Sequence, residues 1–293
     1  MLAIPAGFEH ITRQQEPLAP YTWLRLGGAA ALFAEPTSAK ELTALVKACS
    51  ASKIPVRILG EGSNVLVRDE GFNGLVIRLT AAEFGKISVS GNKIICGGGA
   101  KLGHVISAAV RDGLAGLEEL VGIPGTIGGA LRTNAATHGG EIGQHVVSAT
   151  VLTRSGDVLT KTQEQLRFGY RDSSLDDLVI LEAVLELDAG NAAALTKQMQ
   201  QAWILKRASE PSGEQGVGSI FKSPAGFSAK TLIEQCELKG MRQGDAEVSQ
   251  KHANFIVTGP KATSRDVLTL IEAVRKTVAE RASVQLETAI EVW

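Results

Sequence analysis

Residues 122–130 read Gly122-Ile123-Pro124-Gly125-Thr126-Ile127-Gly128-Gly129-Ala130, and Thr133-Asn134-Ala135-Ala136 follow shortly after. Small residues over such a length let a large planar ligand press against the main chain, or let two structural elements pack closely. An earlier loop, Gly60-Glu61-Gly62-Ser63-Asn64, lies between two predicted strands, where main-chain N–H groups can converge on a phosphate. The two segments predict a ligand-binding region of mixed α and β structure.

Two common nucleotide-binding motifs do not fit these glycines. The earlier loop is an imperfect G-x-G-x-x-G, because Val65 occupies the last glycine position and a strand follows instead of a helix. Neither segment contains the G-x-x-x-x-G-K-[ST] of a P-loop. A Rossmann dinucleotide fold and a P-loop nucleotidase are therefore disfavoured.

Composition places the chain among globular proteins of about two domains. It has 293 residues, of which 44% are hydrophobic and 21% charged, and its formal net charge is −1. This balance predicts no nucleic-acid or membrane partner. The three cysteines, Cys49, Cys96 and Cys236, fit neither a disulfide framework nor a metal knuckle, so we expect a reducing, cytoplasmic protein without a metal site.

Hydrophobic periodicity and capping residues predict the main elements. Helices are predicted after Ser38, which has capping-box spacing to Glu41, at 102–111, after residue 191 through Trp203, at 228–236 and at 263–281. Strands are predicted at 55–59, 64–67, 75–79, 146–153, 178–187 and 254–258. The small, polar segment 188–191 predicts a boundary, with a second unit starting near it.

Two further segments carry isolated polar residues. Arg171, in Tyr170-Arg171-Asp172-Ser173, can hold a carboxylate through two parallel hydrogen bonds or form a surface ion pair. Ser219, in Gly218-Ser219-Ile220-Phe221-Lys222, is not part of a G-x-S-x-G motif, so a hydrolase triad is poorly supported.

In combination these segments resemble the UDP-N-acetylenolpyruvoylglucosamine reductase family, also called UDP-N-acetylmuramate dehydrogenase. The matching segments occur in order at 22–28, 59–64, 122–134, 170–173, 218–222 and 248–255, and the spacing resembles the shorter of two subtypes. The resemblance implies an α+β protein, with a two-subdomain FAD-binding fold of the vanillyl-alcohol-oxidase type and a C-terminal α/β substrate domain. It implies an FAD-binding region at 1–190, with subdomains at about 20–85 and 86–190. A substrate-binding domain would span 200–293, its last strand returning to the active site.

The activity implied by the resemblance is reduction of UDP-N-acetylglucosamine enolpyruvate to UDP-N-acetylmuramate in peptidoglycan synthesis, with FAD as cofactor, NADPH as co-substrate and a monomeric enzyme. Arg171 matches the arginine that stabilises charge on the substrate carboxylate, and Ser219 matches the proton donor to C2. Implied FAD-binding residues are Gly60, Glu61, Gly62, Ser63, Asn64, Gly122, Ile123, Pro124, Gly125, Thr126, Gly128 and Gly129. Implied substrate-binding residues are Tyr170, Lys222, Ser223 and His252, the last of which could instead make a structural hydrogen bond.

One departure from the family pattern falls at a catalytic position. Ala289 stands where the family has a catalytic glutamate, and Glu287 and Glu291 are possible substitutes. On a strand each substitute would be displaced by about 7 Å, and an error of one ångström already costs about 100-fold. The alternative hypothesis is therefore an FAD-binding homologue with impaired or altered chemistry.

Overall fold

The computed structural model describes residues 2–137, 139–211 and 215–293. The α-helices are α1 (Ala39–Ala51), α2 (Leu102–Arg111), α3 (Ile127–Arg132), α4 (Ala192–Ser209), α5 (Ala229–Gln235) and α6 (Ser264–Ala282). Short 3₁₀ helices occur at Ala19–Tyr21, Glu118–Leu120, Ile142–His145 and Gln163–Gln165. Within the described residues, no helix has both the length and the apolar character needed to cross a membrane.

Many of the β-strands are short. In the first half of the chain they are β1 (Thr12–Pro17), β2 (Ala29–Ala34), β3 (Val56–Ile58), β4 (Val65–Leu66), β5 (Phe72–Ile77), β6 (Ile87–Ser90), β7 (Lys93–Gly97), β8 (Leu114–Ala115), β9 (Ala136–Thr137), β10 (Gly140–Glu141) and β11 (Val146–Leu152). In the second half they are β12 (Val158–Thr162), β13 (Phe168–Gly169), β14 (Asp172–Ser173), β15 (Val179–Glu186), β16 (Asp188–Ala189), β17 (Gly216–Gly218), β18 (Arg242–Gln243), β19 (Ala246–Val248), β20 (Phe255–Thr258) and β21 (Glu291–Val292).

The chain divides into two compact units. Unit 1 contains Met1–Glu16, Ala31–Glu61 and Asn73–Leu205, and unit 2 contains Pro17–Ala30, Gly62–Phe72 and Lys206–Trp293.

Unit 1 is built around two sheets. One has the strand order β1-β2-β5-β3, and the other is a five-stranded antiparallel sheet in the order β12-β11-β15-β7-β6. Helix α1 buries Leu42, Leu45 and Val46 in the core of the first sheet. Helices α2 and α3 bury their apolar sides in a second core, which also contains side chains of the five-stranded sheet.

Capping residues explain where the unit 1 helices begin and end. Ser38 Oγ accepts a hydrogen bond from Glu41 N, 3.2 Å away, as the predicted capping box requires. The Glu41 carboxylate does not complete the box, because it accepts from Thr37 N instead, at 2.7 Å. Helix α2 has the bounds predicted from its apolar stripe, and it ends before Gly113, whose φ is +71°.

Unit 2 is a four-stranded antiparallel sheet, ordered β17-β20-β19-β18, with α5 and α6 packed on it. The start of α6 is held by a capping box between Thr263 and Asp266. It is also held by Asp69, whose carboxylate accepts from Ser264 N at 2.9 Å. The last strand, β21, pairs in parallel with β4, so that Glu291 lies opposite Val65.

The division into two compact units differs from the boundary that the sequence predicts near residue 190. The first unit runs through much of α4 to Leu205, and two early segments group with the C-terminal residues. The physical reason is burial, because Leu24, Leu26 and Leu66 share one apolar cluster with side chains of α5 and α6. The assignment of FAD binding to 1–190 and of substrate binding to 200–293 stays a prediction.

Candidate active site

The long glycine stretch forms α3, a helix that the sequence analysis did not predict. Its first N–H groups are already used, because Ile127 N donates to Ala100 O and Gly128 N donates to Gly98 O, both at 2.8 Å. A Cβ added at Gly128 would lie 3.1 Å from Gly98 O. Of the two interpretations of this stretch, close packing therefore accounts for Gly128.

The start of the earlier glycine loop contacts the same stretch within unit 1. A Cβ on Gly60 would lie 2.9 Å from Thr126 Oγ1, so only glycine permits this approach without rearrangement. Among the described residues, the main-chain N–H groups of Gly60, Glu61 and Thr126 have no acceptor, although all three residues are half-buried. Unpaired half-buried donors of this kind can bind an anion.

Arg171 lies at the tip of a hairpin in unit 1. Strands β13 and β14 pair Gly169 with Asp172, which leaves Tyr170 and Arg171 as the two turn residues. Tyr170 is 57% exposed, and Arg171 has a φ of +56°. In the part of the chain that the structure describes, the Arg171 guanidinium makes no hydrogen bond or ion pair. It is therefore available to a carboxylate, which its planar fork suits.

A buried asparagine holds this hairpin in place. Asn134 is 0% exposed, its Nδ2 donates to Gly169 O at 2.9 Å, and its Oδ1 accepts from Gly143 N at 3.0 Å. The amide thereby fixes the strand that leads into the Arg171 turn.

Ser219 lies directly after β17 in unit 2, where a second buried asparagine holds the following residues. Asn254 is 5% exposed, and its amide makes two bonds of 2.9 Å with Phe221, accepting from the main-chain N–H and donating to the carbonyl. Ile220 N also donates to Asn254 O, at 3.0 Å. Ser219 is half-buried, and its hydroxyl has no partner among the described residues.

The C-terminal segment pairs with the residues that follow Ser219. An antiparallel bridge joins Phe221 to Thr288, and Ala289 N donates to Ile220 O at 2.8 Å. Asn64 Nδ2 donates to Ala289 O at 3.1 Å. The main chain of residue 289 is therefore held on two sides within unit 2, beside the residue next to Ser219.

Comparisons with known proteins show the family to which the chain belongs. Residues 30–162 match the family described as FAD binding domain, and residues 210–293 match the C-terminal domain of UDP-N-acetylenolpyruvoylglucosamine reductase. The chain is 44% identical to UDP-N-acetylenolpyruvoylglucosamine reductase 2 of Symbiobacterium thermophilum over an alignment of 283 residues. That alignment covers 96% of this chain and 92% of that protein. It belongs to the UDP-N-acetylenolpyruvoylglucosamine reductase family.

Other reductases of this family also match nearly the whole chain. The reductase of Rhodopirellula baltica is 36% identical over 289 residues, which is 99% of this chain and 95% of that one. The crystal structure of the reductase from Thermus caldophilus superposes with a TM-score of 0.83 at 36% identity, covering 96% of this chain and 99% of that one. The predicted fold is confirmed: an FAD-binding domain followed by the reductase C-terminal domain, in an FAD-dependent oxidoreductase.

Unit 1 contains main-chain N–H groups whose chemistry fits the pyrophosphate of FAD. The free N–H groups of Gly60, Glu61 and Thr126 suit phosphate oxygens, whereas those of Gly128 and Gly129 are used inside the protein. The other predicted residues of the long stretch, 122–125, are half-buried or exposed on the approach to α3. Gly62, Ser63 and Asn64 belong to unit 2.

Both possible substitutes for the family's glutamate have exposed side chains. Glu287 Oε1 is 2.6 Å from Lys222 Nζ, and the Glu287 side chain is 72% exposed. Glu291 is exposed on β21. Ala289 itself is half-buried and presents only a methyl group.

Two further predicted substrate residues already make contacts within unit 2. Ser223 Oγ accepts from Ala229 N at 3.2 Å, at the start of α5. His252 Nδ1 accepts from Asn254 N at 3.2 Å, which is the structural hydrogen bond of the two predicted alternatives. Burial and nearby Lys230 lower the pKa of His252 to about 4. The imidazole is therefore neutral near pH 7, and only its Nε2–H remains to donate to a diphosphate.

Sequence reasoning missed the positioning role of Asn134 and Asn254. Both lie within segments that resemble the family, but no function was assigned to them. The available signal was an amide between small or apolar residues, since a buried amide must find hydrogen-bond partners.

Replacing Asn254 by alanine should lower the free energy of unfolding by about 2–4 kcal/mol, because two buried main-chain groups of Phe221 lose their partners. Urea denaturation followed by circular dichroism measures the change. The matched control is Asn92→Ala, whose amide bonds the exposed Glu186 carboxylate and should cost less than about 0.5 kcal/mol. Equal losses in the two variants would contradict the role assigned to Asn254.

Proposed function

We propose that this chain reduces UDP-N-acetylglucosamine enolpyruvate to UDP-N-acetylmuramate, using NADPH, as a monomer in the cytoplasm. The observation that carries the proposal is the match along nearly the whole chain, which covers 96% of it at 44% identity to one reductase. Matches to both an FAD-binding domain and the reductase C-terminal domain support a chain that binds both the cofactor and the sugar.

Bound FAD would supply the redox chemistry, which is hydride transfer from NADPH to the enolpyruvyl double bond. The N–H groups of Gly60, Glu61 and Thr126 would hold its pyrophosphate. Arg171 would bind the substrate carboxylate, where negative charge increases as the hydride arrives. The absence of a described protein partner for its guanidinium supports this role.

Ser219 would hold a proton at Oγ for delivery to C2 of the enolpyruvyl group. A serine hydroxyl is a weak acid, so this delivery requires nearby positive charge and exclusion of water. Tyr170, Lys222, Ser223 and His252 would contact the UDP-sugar, with Lys222 exchanging its present partner Glu287 for a substrate oxygen.

The test is a two-step flavin experiment with the purified protein. We expect it to bind FAD, to be bleached by NADPH without oxygen, and to be reoxidised by the enolpyruvyl sugar with formation of UDP-N-acetylmuramate, identified by mass spectrometry. Protein that takes up no FAD contradicts the proposal. Protein that is bleached but not reoxidised by the sugar supports the alternative of altered chemistry.

Restoring a carboxylate at residue 289 tests the departure from the family. We expect Ala289→Glu to raise the rate of flavin reoxidation by the sugar at least about tenfold, because a positioned acid–base group contributes about 10²–10⁴-fold. Stopped-flow absorbance of the flavin measures the rate. An unchanged rate in this variant, together with a slow Glu287→Gln variant, would show that Glu287 already supplies the missing carboxylate.

A further inference from the structure

The loop proposed to bind the pyrophosphate of FAD contains an acidic residue, Glu61. Its side chain is 25% exposed, and both of its oxygens are engaged within unit 1. Oε2 accepts from Gly125 N at 3.0 Å, and Oε1 lies 3.1 Å from Lys101 Nζ. One carboxylate thus joins three segments of unit 1: the loop after β3, the glycine stretch before α3, and the residue before α2.

Gly125, which donates to the Glu61 carboxylate, has an unusual main-chain conformation. Gly125 has a φ of +128°, a conformation that side-chain-bearing residues rarely adopt and that glycine leaves readily. Its carbonyl accepts from Leu102 N at 3.0 Å, while its N–H donates to Glu61. Both polar groups of this flexible residue are therefore held, and the carboxylate holds one of them.

The free donors lie immediately beside this link. Glu61 supplies one of them from its own main chain, and Gly60 and Thr126 supply the others, so a shift of either loop would separate them. The close approach of Gly60 to Thr126 shows that the two loops are already in contact. Holding donors in place before a ligand arrives lowers the entropic cost of binding it.

The same carboxylate brings a negative charge near the phosphates, which opposes binding. Lys101 offsets this charge, since its ammonium forms an ion pair with the carboxylate oxygen that does not contact Gly125. The pair therefore tethers the loops with little net charge.

We infer that Glu61 is a positioning residue for FAD: its carboxylate clamps the two glycine loops together, and Lys101 neutralises it so that the pyrophosphate can be accepted. The inference rests on the FAD binding of the proposed function. The resemblance implies that Glu61 belongs to the FAD-binding loop, but it gives neither the Glu61 carboxylate nor Lys101 this positioning role.

The experiment measures FAD dissociation constants of the apoprotein by quenching of flavin fluorescence, alongside its melting temperature. We expect Glu61→Ala to weaken FAD binding about tenfold or more, because a charge-assisted hydrogen bond is lost. Lys101→Met should also weaken binding, because it leaves the carboxylate uncovered. The double variant should bind no more weakly than Lys101→Met alone, since removing the exposed charge offsets the loss of the clamp.

The matched control is Glu186→Ala, which breaks an exposed ion pair with Lys93 in the same unit and should leave FAD affinity unchanged. If Glu61→Ala does not fold, Glu61→Met decides, because it keeps the length of the side chain but has no oxygen to accept from Gly125 N, and it should still bind FAD more weakly than the unmodified protein. Equal or tighter FAD binding by the folded Glu61 variant overturns the clamp, and tighter binding would show that the carboxylate competes with phosphate. Unmodified protein that takes up no FAD contradicts the proposed function instead.

Discussion

Replacing Ser219 by alanine should leave reduction of the flavin by NADPH intact and slow its reoxidation by the enolpyruvyl sugar by about 10²–10⁴-fold. The reason is that the variant lacks only the hydroxyl that would deliver a proton to C2. That hydroxyl bonds no described protein group, so its loss should not disturb the residues held by Asn254. Stopped-flow measurement of the two half-reactions separates the effects.

Serine at another position supplies the control for this experiment. Ser88→Ala changes an exposed serine on β6 and should leave both half-reactions unchanged. Loss of both half-reactions in Ser219→Ala would contradict the proton-donor role, because a proton donor to the substrate is not needed when NADPH reduces the flavin.

Replacing Arg171 by methionine should lower the rate of sugar reduction by about 10²–10³-fold, since this is the usual cost of removing one group that stabilises developing negative charge. The length of the side chain is retained, and the hairpin keeps its anchor because Asn134 bonds Gly169. FAD affinity and reduction by NADPH should be unchanged. Single-turnover rates with varied sugar concentration give the effect on binding and on chemistry.

Lysine at residue 171 separates charge from shape. Arg171→Lys keeps the positive charge but loses the planar fork, so its rate should lie between those of the unmodified protein and the methionine variant. The control is Arg111→Met, which removes a guanidinium paired with the adjacent Asp112 on the surface. Full activity of Arg171→Lys would show that a point charge is sufficient, contrary to two-point recognition of a carboxylate.

Much of the fold could be predicted from local sequence. The stripe of apolar residues in α2, the cap at Ser38 and the periodicity of 228–236 and 263–281 predicted helices within a residue or two of their observed bounds. Helix α3 was missed because its two glycines are poor helix formers. It forms because its first N–H groups find partners at 98–100, and Thr126 Oγ1 accepts from Gly129 N at 3.4 Å.

The candidate site was predicted in part. The proposed roles of Arg171 and Ser219 came from resemblance to the family, and the structure leaves both side chains without partners among the described residues. The residues that hold the adjacent segments were not predicted. Asn254 bonds a residue 33 positions away, and Asn64 bonds one 225 positions away, distances over which local patterns carry no information.

By itself the sequence determined the family, the cofactor class and most helices, because motifs, caps and apolar stripes are encoded within a few neighbouring residues. Only the tertiary structure decided which main-chain donors remain free, and that Glu61 joins two glycine loops through Gly125. It also decided that residues 17–30 and 62–72 group with the C-terminal residues. The physical reason is that a donor is free or used, and an apolar side chain finds its cluster, only when distant segments have packed.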